Sequence, residues 1–70
     1  MTEILFLVEE DPEGGYTAKA VNHSIYTEAD TYDQLKKMIN DAVKCHFEKG
    51  KIPAFIRIHL VHEEILPLSA

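Results

Sequence analysis

Four histidines, one cysteine and twelve carboxylates carry most of the reactive chemistry in this 70-residue chain, and their spacing disperses it. His59 and His62 stand three apart in a stretch that reads as a strand, so they point to opposite faces and cannot share a metal ion without a bulge. His46 falls in a helical pattern and His23 in a turn. No His-x-x-x-His pair and no second cysteine completes a ligand set. Cys45 lies between Lys44 and His46, but adjacent helical positions diverge, so neither neighbour converges on the thiol. Cys45 reads as a half-buried small hydrophobe rather than a nucleophile. Gly14-Gly15 lacks the spacing of a phosphate or dinucleotide loop, and Ser24 and Ser69 have no base partner in view. Glu9, Glu10, Asp11 and Glu13 crowd one hairpin and read as a solvated acidic turn. The expectation is a protein with no catalytic centre, no metal site and no cofactor.

Charge narrows the class of partner. The formal net charge is −5, which argues against direct DNA or RNA binding, because a nucleic-acid surface needs a basic patch. It favours a basic protein instead. No apolar run approaches the roughly 20 residues of a membrane span, and the start Met1-Thr2-Glu3 is acidic where a secretory leader is basic. With its lone cysteine, the chain is expected in the cytoplasm. Residues 1–70 make one domain. Such short chains bury only about 60% of their unfolded surface and are marginal alone, so a partner is the expected reinforcement.

The elements follow from periodicity. Ile4-Leu5-Phe6-Leu7-Val8 contains no polar residue, where a strand with one wet face would alternate; both its faces want cover. It sits in a strand over about 3–10. Asp11-Pro12-Glu13-Gly14-Gly15 is a turn by composition, leading to a second strand over 16–21 and so to a hairpin. Asn22-His23-Ser24 turns again into a short strand over 25–28. Thr31 with Gln34 forms a capping box. From there Leu35, Met38, Ile39, Ala42, Val43 and His46 or Phe47 trace an apolar stripe with the helical period. The helix is predicted over 32–49, ended by Gly50 and kept from restarting by Pro53. A last strand spans about 54–63. The order β-β-β-α-β, with the usual right-handed crossover, predicts an α+β fold. Its four-stranded mixed sheet has order 3-2-1-4, with one helix on one face.

Parity assigns the faces. Ile4, Phe6, Val8, Tyr16, Ala18, Ala20, Ile56, Ile58 and Leu60 fall on the helix side. Leu5, Leu7, Thr17, Lys19, Phe55, Arg57, His59 and Val61 fall on the other, apolar at the centre and charged at the rim, which is the anatomy of an interface. These eight are the expected partner-binding residues. One helix blankets one face only, so the second face is expected to find its cover on another molecule. Burying on the order of 300 Å² there, at about 25 cal/mol per Å², contributes roughly 7 kcal/mol before ordering costs. The last strand, an edge in this layout, is a second candidate for pairing with another chain.

Two segments carry a resemblance over residues 3–62. Glu13-Gly14-Gly15-Tyr16-Thr17-Ala18 and Thr27-Glu28-Ala29-Asp30-Thr31, in this order and spacing, resemble the hairpin and helix entry of the HicB-like antitoxin superfamily, with Ala29 where that family has glycine. The helix opening Tyr32-Asp33-Gln34-Leu35 and the later Ala42-Val43 also fit. Ala20-Val21-Asn22-His23-Ser24-Ile25 departs from it, replacing a Pro-x-x-x-Gly-Cys stretch. The resemblance implies a partial ribonuclease H-like β-β-β-α-β unit. It also implies a protein-binding role: covering a small basic HicA-type toxin that cleaves RNA. Nuclease activity does not follow from the fold, and the middle of the first strand offers no metal-binding acids.

The leading expectation is therefore a non-enzymatic HicB-like module that forms a homodimer or larger homo-oligomer through its open sheet face and neutralises such a toxin. Two rivals stand beside it. One is a homo-oligomer enclosing a small ligand between sheets, held by Thr17, Lys19, Arg57 and His59. The other is an accessory subunit of an enzyme complex.

Overall fold

The computed structural model describes residues 2–69; Met1 and Ala70, the ends of the expected 1–70 domain, lie outside the described residues. The element order is β1 (Glu3–Glu10), β2 (Tyr16–Ala20), β3 (Tyr26–Ala29), α1 (Tyr32–His46) and β4 (Phe55–Val61). The four strands form one mixed sheet in the order β3-β2-β1-β4, the α+β arrangement that the sequence predicts. β1 pairs antiparallel with β2 and parallel with β4, and β2 pairs antiparallel with β3.

Local chemistry builds the hairpin. The Asp11 carbonyl accepts from Gly14 N at 2.9 Å, Asp11 N donates to the Gly15 carbonyl at 2.9 Å, and Asp11 Oδ1 accepts from Glu13 N at 2.9 Å. Gly15 has φ of 90°, and a Cβ there would stand 3.3 Å from the Ala29 carbonyl oxygen of β3. Glycine is thus required twice, for the backbone angle and for the close approach of β3.

α1 begins where Thr31 Oγ1 accepts from Gln34 N at 3.1 Å, satisfying one of the unpaired amides of the first turn. Leu35, Ile39 and Val43 are its buried residues. They close on Ile4, Phe6 and Val8 of β1, Ala18 and Ala20 of β2, and Ile25 to form the core. The two alanines let the helix come close to the sheet. α1 runs nearest to β3 and β2.

Several boundaries differ from expectation. The helix ends at His46, not 49, because Phe47 turns extended and packs its ring on His23 at a centroid distance of 5.2 Å. Gly50 does not cap the helix. Its φ of 91° serves a separate turn in which Lys51 N donates to the Glu48 carbonyl at 2.9 Å. β3 starts one residue later, since Ile25 is buried beneath the turn and its carbonyl accepts from Ala20 N at 3.0 Å. β2 stops at Ala20, and β4 keeps Phe55–Val61 of the expected 54–63, the span over which it pairs with Glu3–Glu9 of β1. Met38, His46 and Cys45 are exposed. The buried positions follow a strict four-residue step that passes all three by.

Candidate functional site

The register brings all eight residues singled out from the sequence to the face of the sheet away from α1. Leu7 pairs with Lys19 on one side and His59 on the other; Leu5 lies beside Arg57, Glu3 beside Phe55, and Glu9 between Thr17 and Val61. Alternation then sets Leu5, Leu7, Thr17, Lys19, Phe55, Arg57, His59 and Val61 on one surface. Leu5 and Thr17 are half-buried by their neighbours, and the other six are exposed. Phe55 is 68% exposed, an unusual position for a large aromatic ring.

β3 extends this face in a way the sequence reading missed. Tyr26 pairs with Lys19 and Glu28 with Thr17, so both join the open side, and Tyr26 is 63% exposed. Val21, exposed at the end of β2, adds a further apolar group, its amide donating to the Leu5 carbonyl at 2.9 Å. The signal for Tyr26 was the same parity that placed Lys19. It was lost because the strand is only four residues long and its faces were not assigned from the sequence.

Rows across the sheet show the pattern. Tyr26, Lys19, Leu7 and His59 form one row, and Glu28, Thr17, Glu9 and Val61 the next. Apolar and polar groups alternate along these rows, with Glu28 at the β3 end and Glu3 and Glu9 on β1. Arg57 is already engaged. Its Nε donates to Glu3 Oε1 at 2.9 Å and a terminal nitrogen donates to Glu3 Oε2 at 3.2 Å, a two-pronged clasp between β1 and β4. The hydrogen bond and charge of Arg57 hold the Glu3 carboxyl below the ordinary glutamate range, and Glu3 raises Arg57 in return.

The C-terminal tail does not fold under this face. Residues 62–69 are exposed throughout, with Ile65 at 81%, Leu66 at 77% and Leu68 at 99%. At its root, His62 Nδ1 lies 3.1 Å from Glu10 Oε2. At the β3 edge of the sheet a groove of about 740 Å³ opens between the hairpin turn and α1, lined by Asp11, Thr17, Glu28, Asp30, Lys37 and Met38 among others. It has no buried polar group aimed into it. Among the described residues no three His, Cys, Asp or Glu side chains are placed to hold a metal ion. His23, His46 and Phe47 instead stack edge to face at 5.0–6.0 Å where the helix end meets the β2–β3 turn, a packing role.

No helix among the described residues is long and apolar enough to cross a membrane. No protein-family model matches the chain, and no solved structure matches it. Two curated relatives do. A UPF0150 protein of Archaeoglobus fulgidus is 54% identical over 50 residues, covering 71% of this chain and 74% of the relative. A UPF0150 protein of Thermotoga maritima is 43% identical over 61 residues, covering 87% of this chain and 86% of the relative.

Proposed function

The chain belongs to the UPF0150 family, and from that premise we infer that it is a non-enzymatic, cytoplasmic protein-binding module of HicB-like antitoxin type. It assembles with itself through the open sheet face and covers a small basic HicA-type ribonuclease. The observation that carries this reading is the uncovered surface of Leu7, Val21, Tyr26, Phe55 and Val61 on a sheet whose one helix among the described residues packs on the opposite side. Exposed apolar groups gathered on one face of a small domain, with Lys19, His59 and Glu9 interleaved among them, suit a site of association. The acidic balance of −5 supports a basic partner, and the β-β-β-α-β element order agrees with what the HicB-like resemblance implies. The ligand-enclosing alternative is weakened by Arg57, one of its four polar contacts, being clasped by Glu3.

Sedimentation of the purified protein tests self-association. Leu7→Glu places a carboxylate at the centre of the face and is expected to reduce the particle mass, whereas Lys37→Glu on the helix leaves it unchanged. Equal masses for both variants would remove the face from the interface. Inhibition of RNA cleavage by a purified HicA-type ribonuclease, lost in Leu7→Glu, tests the toxin role.

A further inference from the structure

β4 is the barest element of the molecule. It has one strand neighbour, β1. Phe55 N donates inward, to the Thr2 carbonyl at 2.9 Å. Backbone groups alternate sides along a strand, so Phe55, Arg57, His59 and Val61 serve the ladder to β1. Ile56, Ile58 and Leu60 aim theirs outward, unpaired. Sheet edges are usually guarded by proline, a bulge or an inward charge, and β4 carries no such guard between Phe55 and Val61: its one firm charge, Arg57, is turned to Glu3. Beyond it the chain continues as an arm bearing Ile65, Leu66 and Leu68 in water. The molecule measures 58 × 20 × 17 Å with a radius of gyration of 14.5 Å, where a compact chain of this length has about 11 Å.

We propose that β4 and its arm, residues 62–68, pair antiparallel with the same segment of a second copy about a twofold axis at Leu60, joining the two sheets edge to edge. The exposed apolar groups select that register, and the amides and prolines are compatible with it. The outward amides meet: Leu60 faces Leu60 of the second copy, Ile58 faces His62 and Ile56 faces Glu64. The bare apolar groups cover one another, because Phe55 (68% exposed) lies across from Ile65, and Ile52 (40% exposed) across from Leu68. Glu63 is set across from Arg57, whose guanidinium stays on Glu3, so no like charges meet there. Both prolines also fit. Pro53 and Pro67 share the parity of Phe55 and Arg57, so the N–H each lacks is one that would face away from the new partner. Neighbouring registers lose these pairs. An axis at Ile58 sets Ile65 against Lys51 and Leu68 against Glu48; an axis at His62 sets Phe55 against Ser69 and Leu60 against Glu64. The pairing uses the edge and the arm, so it holds whether or not the open face also associates.

Disulfide trapping reads the register directly. Phe55→Cys with Ile65→Cys, in a Cys45→Ser background, places the new thiols across a non-hydrogen-bonded pair, about 4.5–5.5 Å apart between Cβ atoms. Within one chain the same two positions are ten residues apart along an extended segment, about 33 Å, beyond any disulfide. Oxidation of the full-length variant is expected to give a single covalent dimer on a non-reducing gel, also in a Leu7→Glu background. A monomer, or an open ladder of larger species, overturns the proposal. Leu60→Pro supplies a second measurement. It removes only an outward N–H, so the circular dichroism spectrum is retained while the two central bonds of the dimer are lost, weakening self-association by about tenfold or more. Unchanged association in Leu60→Pro overturns the proposal as well. Leu7→Glu reports on the open face alone, so failure of one surface is told apart from failure of the other.

Discussion

β1 and β4 lie side by side in parallel register and carry equally apolar side chains toward the helix, yet those side chains differ in burial. Ile4, Phe6 and Val8 are 2%, 0% and 0% exposed. Their direct neighbours on the same face, Ile56, Ile58 and Leu60, are half-buried, half-buried and 51% exposed. The cause is where the helix sits. α1 lies over β3 and β2, and its side chains Leu35, Ile39 and Val43 share one core with β1, against which Ile56 and Ile58 of β4 pack only in part. Position in the sheet, rather than hydrophobicity, separates a core strand from an interaction strand.

The largest test of that contrast is a pair of truncations. Phe6→Ala removes a fully buried ring and is expected to cost about 3–5 kcal/mol, a large share of the stability of a small domain. Ile56→Ala, on half-buried β4, is expected to cost about 1–2 kcal/mol by the same reasoning. Urea unfolding measures both at a dilution where the protein is monomeric. Equal costs would mean that β4 is as well covered as β1.

Amide hydrogen exchange sharpens the contrast residue by residue. Amides of β1 are expected to exchange only through global unfolding, and those of Ile56, Ile58 and Leu60 to exchange rapidly in the monomer, since no strand lies outside them. With rising protein concentration the same three are expected to slow as the edge pairs, while β1 stays as it was. Protection of Leu60 independent of concentration would place its cover within the single chain.

The smallest effect concerns the clasp that ties the two strands. The Glu3 carboxyl titrates below the ordinary glutamate range because Arg57 donates to its charged form and attracts it. A depressed carboxylate contributes stability that is present above its unfolded-state value and is lost as pH falls through the lowered folded value. Both partners are well exposed, so the contribution is small and is screened by salt. A titration followed by NMR is expected to show the Glu3 carboxyl moving up toward the ordinary range in Arg57→Gln. The acid side of the stability profile should lose a slight slope in the same variant. An unchanged Glu3 would show that the clasp does not hold in solution.

Much of this was written in local chemistry. The unbroken run Ile4–Val8 identified a central strand because a strand with one wet face alternates. The Thr31–Gln34 pair marked the start of the helix to the residue, since capping needs only neighbours in sequence. Its end was not legible. Gly50 suggested a stop three residues too late, because the stop was set by Phe47 packing on His23, a residue 24 positions away. Tyr26 was missed on the open face for a related reason. A four-residue strand carries too little alternation to fix its own phase, and the pairing of Lys19 with Tyr26 fixed it instead.

Pattern alone determined the order of the elements, the α+β fold with its β3-β2-β1-β4 sheet, and the division of side chains between two faces. Each of these depends on periodicity and on short-range turn and cap chemistry. Only the tertiary structure decided how far the helix reaches across the sheet, that Arg57 is spent on Glu3, and that β4 is left with a bare edge and an apolar arm. Those outcomes depend on where a rigid helix comes to rest over a twisted sheet, which is set by contacts between residues far apart in the chain.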